Sequence, residues 1–108
     1  MIEMIKEWIE YHFGDKELGA IRSPLWTKVR KEFITRNPEC AVCGKTTDCE
    51  IHHKLPFHTH PELELRDSNL ITLCREHHFL FGHLLKWSAI NPEVENDATY
   101  FRAKIESR

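Results

Sequence analysis

The chain has 108 residues, a formal net charge of −2, and a composition that is 41% hydrophobic and 30% charged. That suits one domain with a small core and excludes a multidomain enzyme, a disordered tail and a membrane protein, since no apolar run approaches the roughly 20 residues that span a bilayer. The unusual feature is eight histidines and four cysteines in so short a sequence.

Ile2, Ile5, Trp8 or Ile9, and Phe13 fall on one helical face and predict a helix over 2–13, with breaks at Gly14-Asp15 and Gly19. Residues 1–14 mix charge with apolar positions and show no export signal, so reduced thiols and a cytoplasmic location are expected. Ser23-Pro24 is a helix start, an N-cap followed by proline at the first helical position. From there Leu25, Val29 and Phe33 repeat at i, i+4, flanked by Trp26 and Ile34, until Asn37-Pro38 ends the helix. Residues 47–53 are strand-like, with Cys49 and Ile51 on one side; 54–67 are a loop containing Pro56 and Pro61; 70–73 are short and apolar. The pattern then predicts a helix over about 75–88 with Leu80, Leu84 and Trp87 on one stripe, broken by Asn91-Pro92. A polar helix over 93–108 follows, with Val94, Tyr100, Phe101 and Ile105 as its anchors.

Charge is uneven. Segment 22–54 carries seven bases against four acids, while 1–21 and 55–108 are net acidic, so the middle of the chain is the part that can face a polyanion. Lys54, Arg30, Arg36, Lys45 and Arg75 are candidate phosphate contacts.

Cys40-x2-Cys43 and Cys74-x2-His77 are two ligand pairs at the spacing of a structural zinc site. A two-residue gap lets both side chains of one turn point at a single ion, and Gly44 suits the tight knuckle. One zinc shared by both pairs would tie the middle of the chain to a later helix and offset the small core. Cys49 is the spare thiol. It is an alternative to His77 as fourth ligand, but it sits on a strand without a knuckle partner and reads as a small core residue.

A second constellation is His52-His53, Asn69 and His78. Adjacent residues on an extended segment leave opposite faces, so one of His52 and His53 can ligate a metal while the other stays free as a base. His78 follows His77, and on a helix the two point about 100° apart, so one helix can serve two metal sites.

The order Cys-x2-Cys, His-His, Asn-Leu, Cys-x2-His-His resembles the HNH endonuclease family in its zinc-stapled phage-type form. The matching residues are Trp26-x2-Val29-Arg30, Asn37-Pro38-x-Cys40-x2-Cys43-Gly44, Glu50-Ile51-His52-His53-x2-Pro56, Asn69-Leu70-Ile71-Thr72-Leu73-Cys74 and His77-His78, over roughly 25–83. The resemblance implies an α+β, mainly helical fold: a ββα-metal (His-Me finger) core over about 25–90, stapled by structural Zn2+, with helical extensions at 1–22 and 91–108, all in one domain. It implies that His53 is the general base, that Asn69 orients it and pins the loop between the strands, and that His52 and His78 hold one catalytic divalent ion (Mg2+, Mn2+, Ni2+ or Zn2+). The implied reaction is hydrolysis of DNA phosphodiester bonds, by nicking or double-strand cleavage, leaving 5′-phosphate and 3′-hydroxyl ends. Small members of this form are phage-encoded and associated with genome packaging, so a packaging protein or a second copy of the chain is the implied targeting partner.

One position departs from the pattern. Many members carry a further histidine four residues after the one matching His78; here Gly82 stands there and His83 comes one later. On a regular helix a five-residue step turns about 140°, so His83 is expected to point away as a surface or capping residue unless the helix is distorted. His12, His58 and His60 are likewise read as having no specific role. The competing reading is a zinc-stabilised nucleic-acid-binding module without catalysis, which needs the knuckles and the bases but not His52, His53, Asn69 and His78 together.

Overall fold

Residues 22–108 are described in the computed structural model. The helix expected over 2–13, and His12 within it, lie outside the described residues. The first described helix, α1, spans Trp26–Arg36. Its lead-in is held by Ser23, whose hydroxyl accepts the Leu25 N–H at 3.0 Å and whose carbonyl accepts the Trp26 N–H at 3.1 Å. Regular helix therefore begins three residues after Ser23, so the N-cap position falls on Leu25 and not on Ser23, Pro24 precedes the first helical position, and Leu25 stays exposed instead of heading the apolar stripe. Phe33 is buried, and Trp26, Val29 and Ile34 pack with it against Ile51 and Leu70. Asn37 closes the helix by donating both its backbone N–H and its side-chain amide to the Phe33 carbonyl, and Pro38 cannot continue it.

Two antiparallel strands follow, β1 (Cys49–His53) and β2 (Leu70–Cys74), paired from Cys49↔Cys74 to His53↔Leu70. Every residue of β2 is buried, as a short apolar run in the middle of a small fold should be. The loop between the strands is pinned by Asn69. Its side chain accepts the Leu55 N–H at 2.9 Å and donates to the Leu55 carbonyl at 3.0 Å and the Leu63 carbonyl at 3.4 Å.

The segment after β2 departs from the regular helix expected over 75–88. A single turn, α2 (Arg75–His77), passes directly into a π-helical turn over His78–Gly82. Beyond it Leu84 and Leu85 take left-handed backbone, φ +53° and +68°, at a cost of about 1–2 kcal/mol each for a side-chain-bearing residue. Leu80, Leu84 and Trp87 consequently form no buried stripe; all three are exposed. The distortion has identifiable supports. Asn91 donates to the Phe81 carbonyl at 2.8 Å, the Leu85 N–H reaches the Phe79 carbonyl at 3.0 Å, and His83 bonds the Ala89 carbonyl at 3.1 Å.

The last helix, α3 (Val94–Glu106), closes the core with Val94 and Ala98 against Cys40, Val42, Ile71, Leu73 and Cys74. Of the four expected anchors only Val94 is buried. Tyr100, Phe101 and Ile105 are exposed, although Phe101 meets the Phe81 ring edge-on at 5.1 Å. Arg102 on α3 latches the cysteine knuckle by donating to the Cys40 carbonyl at 3.1 Å and to Glu39 at 3.0 Å. The result, among the described residues, is an α+β fold of three helices and a two-stranded antiparallel sheet. No helix among them is long and apolar enough to cross a membrane.

Candidate functional site

The fold gathers two groups of side chains that could each hold a metal ion. In the first, Cys40, Cys43, Cys74 and His77 place one ligand atom each within 4.8 Å of one another. The knuckle forms because Gly44 takes φ +80°, letting its N–H reach the Cys40 carbonyl and the Cys40 N–H reach the Lys45 carbonyl, both at 2.8 Å. Cys74 ends β2 and His77 ends the following turn. Sγ of Cys43 lies 3.9 Å from Sγ of Cys74, and Nδ1 of His77 lies 3.7 Å from Sγ of Cys40 and 3.2 Å from Sγ of Cys74. Four ligands around a tetrahedral zinc stand roughly 3.4–3.8 Å apart, so the group is compatible with that ion. Burial pushes the Cys40 thiol up, but backbone hydrogen bonds at Cys74, Cys43 and Val42, together with the His77 ring, outweigh it and hold it at about 7. Burial pushes Cys74 up to about 12, and a negative Cys40 adds to this; a cation bound between them would favour both thiolates. Cys49 stands outside the four and donates to the Lys45 carbonyl at 3.1 Å.

The second group is His52, His78 and His83. Nε2 of His78 lies 3.1 Å from Nδ1 of His52 and 3.2 Å from Nε2 of His83. Three imidazole nitrogens at about 2.0–2.1 Å from one ion stand roughly 3–3.4 Å apart. The outer nitrogens fix the tautomers. Nδ1 of His78 donates to Glu50 Oε1 at 2.7 Å and Nδ1 of His83 donates to the Ala89 carbonyl, which leaves both Nε2 lone pairs facing inward. Burial above all, with His78, His83 and His53 nearby, pushes His52 down to about 3, so it is neutral at pH 7. Its Nε2 is buried without a hydrogen-bond partner. Two inward lone pairs, on His78 and His83, that meet a third imidazole nitrogen at this spacing are a donor set compatible with a divalent cation.

His83 is therefore not the outward-pointing residue that a regular helix predicts. In a π-helical turn hydrogen bonds run i→i+5, so a residue five positions on returns to nearly the same face. Gly82 makes room for this. A Cβ there would sit 3.1 Å from His52 Cε1 and from His78 Cδ2.

His53 ends β1, and its ring lies 4.4 Å from that of Trp26. Its Nε2 donates to the Glu64 carbonyl at 2.9 Å, so the free lone pair is on Nδ1. Burial pushes His53 below its ordinary value; the carbonyl partner opposes this and the Arg22 charge adds to it, leaving a neutral ring at pH 7. Asn69 spends its side chain on Leu55 and Leu63, so it holds the loop rather than the His53 ring.

All five β1 residues floor a cleft of about 1110 Å³ that is also lined by His78, His83, Trp26 and Trp87. Arg22, Arg30, Lys31 and Lys54 stand on its walls. Glu50 is the acid among the described lining residues, and it is committed to His78 and to Arg75 at 3.0 Å. Of the candidate phosphate contacts, Lys54 and Arg30 reach this cleft, Lys54 while paired with Glu95. Arg36 pairs with Asp67, Lys45 sits beside Asp48 and Glu76, and Arg75 binds Glu50. His58 lines the cleft; His60 does not, and bonds Thr59 at 2.8 Å.

The chain matches no family model, no curated protein and no solved structure. Two residues around the second group, Glu50 and Gly82, stand in the sequence motif without an assigned role. Glu50 was legible in principle, because in a strand it shares a face with His52 two positions on. Gly82 reads in the sequence only as a position without a histidine.

Proposed function

We propose that the protein is a metal-dependent endonuclease of the HNH type acting on DNA, with a ββα-metal core built from β1, β2 and the α2 turn. One observation carries the reading: the His52, His78 and His83 nitrogens converge in the same basic cleft that holds the free Nδ1 of His53. The sequence motif points to the same chemistry. A binding module without catalysis would use the cleft but leaves the converging imidazoles without a purpose.

In this reading His52, His78 and His83 hold the working ion, and Cys40, Cys43, Cys74 and His77 hold a structural zinc. When bound, the divalent ion supplies charge neutralisation at the scissile phosphate and stabilises the departing 3′ oxygen. His53 takes the proton from the attacking water at Nδ1, its ring held by the Glu64 carbonyl and the Trp26 face. Three imidazoles suit borderline ions such as Ni2+ and Zn2+ better than Mg2+ or Mn2+, which prefer oxygen. The test is plasmid nicking with each ion. His53→Ala should lose cleavage while binding Ni2+ as wild type does; a variant that cuts as fast as wild type removes His53 from the mechanism.

A further inference from the structure

Arg22 and Glu64 form a pair that the mechanism above does not use. Glu64 is 4% exposed. One carboxylate oxygen accepts the Ser23 N–H at 3.1 Å; the other has no hydrogen-bond partner and faces Nη1 of Arg22 at 3.6 Å. The same residue's carbonyl holds the His53 ring. Glu64 therefore joins the candidate base to an arginine through one short piece of backbone.

The Arg22 guanidinium is not free to swing. It lies over the Phe57 ring at 4.6 Å and the Trp26 ring at 5.5 Å, and Trp26 in turn stacks on His53. Its side chain is nevertheless 48% exposed, on the wall of the cleft. A guanidinium has five donors in a rigid fork, and the 3.6 Å approach to Glu64 is too long to be a hydrogen bond. Aromatic faces orient the fork, a buried carboxylate anchors its charge, and the donors remain for something in the cleft. The acceptor geometry that matches such a fork is a phosphate with two oxygens.

We infer that Arg22 binds a phosphate of the nucleic-acid strand beside His53, with Glu64 as its buried positioning residue. The assignment rests on the nuclease reading for the identity of the anion. It makes the base and the phosphate contact a single unit, so the strand is placed by the same loop that places the imidazole.

The alternative is that Arg22 serves only to neutralise Glu64, and a paired substitution separates the two. Arg22→Gln and the double variant Arg22→Gln/Glu64→Gln are compared with wild type, and Lys104→Gln serves as a control because Lys104 lies on α3 beside the Tyr100 ring and does not line the cleft. Binding of a fluorescent 20-base-pair duplex is followed by anisotropy across a NaCl series, and melting temperature is measured alongside. The double variant, with no buried charge left unpaired, should melt like wild type yet bind the duplex about tenfold more weakly, with a salt slope lower by about one. Lys104→Gln should match wild type. A double variant with wild-type melting, affinity and salt slope overturns the assignment. Wild-type protein that binds the duplex through Arg22 but never cuts it, with any of the ions above, overturns the nuclease reading and upholds the phosphate contact.

Discussion

Replacing Glu50 with glutamine tests whether the three-histidine group is a metal site. The carboxylate does not touch the proposed ion. It holds Nδ1 of His78 at 2.7 Å, within the range of a charge-assisted hydrogen bond, so that Nε2 faces His52 and His83. Carboxylate partners of ligating histidines are worth about 10–100-fold in metal affinity, or about 1.4–2.7 kcal/mol. Glu50 is 37% exposed and shares its second oxygen with Arg75 at 3.0 Å, so solvent screening sets the expected loss near the lower bound, about tenfold. The measurement is calorimetric titration of Ni2+ into zinc-loaded protein. Glu50→Gln should weaken binding about tenfold with little change in melting temperature. Asp67→Asn, which removes a surface carboxylate away from the cleft, should bind as wild type does. If Glu50→Gln binds Ni2+ as tightly as wild type, the convergence of imidazoles is packing, not coordination.

The other expectations concern the groups around that centre. His83→Ala should lose at least about tenfold in Ni2+ affinity while retaining the structural zinc; unchanged affinity would reduce His83 to a cap on the Ala89 carbonyl. Gly82→Ala puts a methyl 3.1 Å from His52 Cε1, so the rings must give by a few tenths of an ångström. Ni2+ affinity should then fall by roughly tenfold, because a site is held only within about 0.5 Å of its working geometry; equal affinity would show that the rings adapt freely. Cys40→Ser, or zinc removal by a chelator, should lower the melting temperature by more than about 10 °C or abolish the cooperative transition. Equal melts for wild type and Cys40→Ser would show that the knuckle contributes no folding energy.

Local chemistry made part of this molecule legible in its sequence. Ser23, Asn37 and Pro38 bound α1 through contacts within a few residues, and the apolar run at 70–73 lies within β2. The cysteine pairs were legible because a two-residue gap constrains direction whatever surrounds it. The apolar periodicities were less informative. Leu80, Leu84 and Trp87 keep helical spacing and still lie exposed, and on α3 Ala98 is buried in preference to Tyr100, Phe101 and Ile105. In so small a core the close approach of α3 to Cys40 and Val42 favours the smallest side chain over the most hydrophobic.

The sequence by itself determined the inventory: two x2 ligand pairs, adjacent histidines at the end of a strand, an asparagine before the next strand, and a basic middle segment. Tertiary structure decided how the inventory is used. His83 enters the second centre because the chain inserts a π-helical turn, and that turn is held by Asn91 on the Phe81 carbonyl and by the absence of a side chain at Gly82. Periodicity cannot foresee such a turn, since its supports lie six to ten residues away in the sequence or across the sheet. The same holds for Glu64, which stands in a loop and comes to face Arg22 and His53 only when Asn69 folds that loop back over β1. Spacing chose the ligand types; long-range hydrogen bonds chose which nitrogens meet.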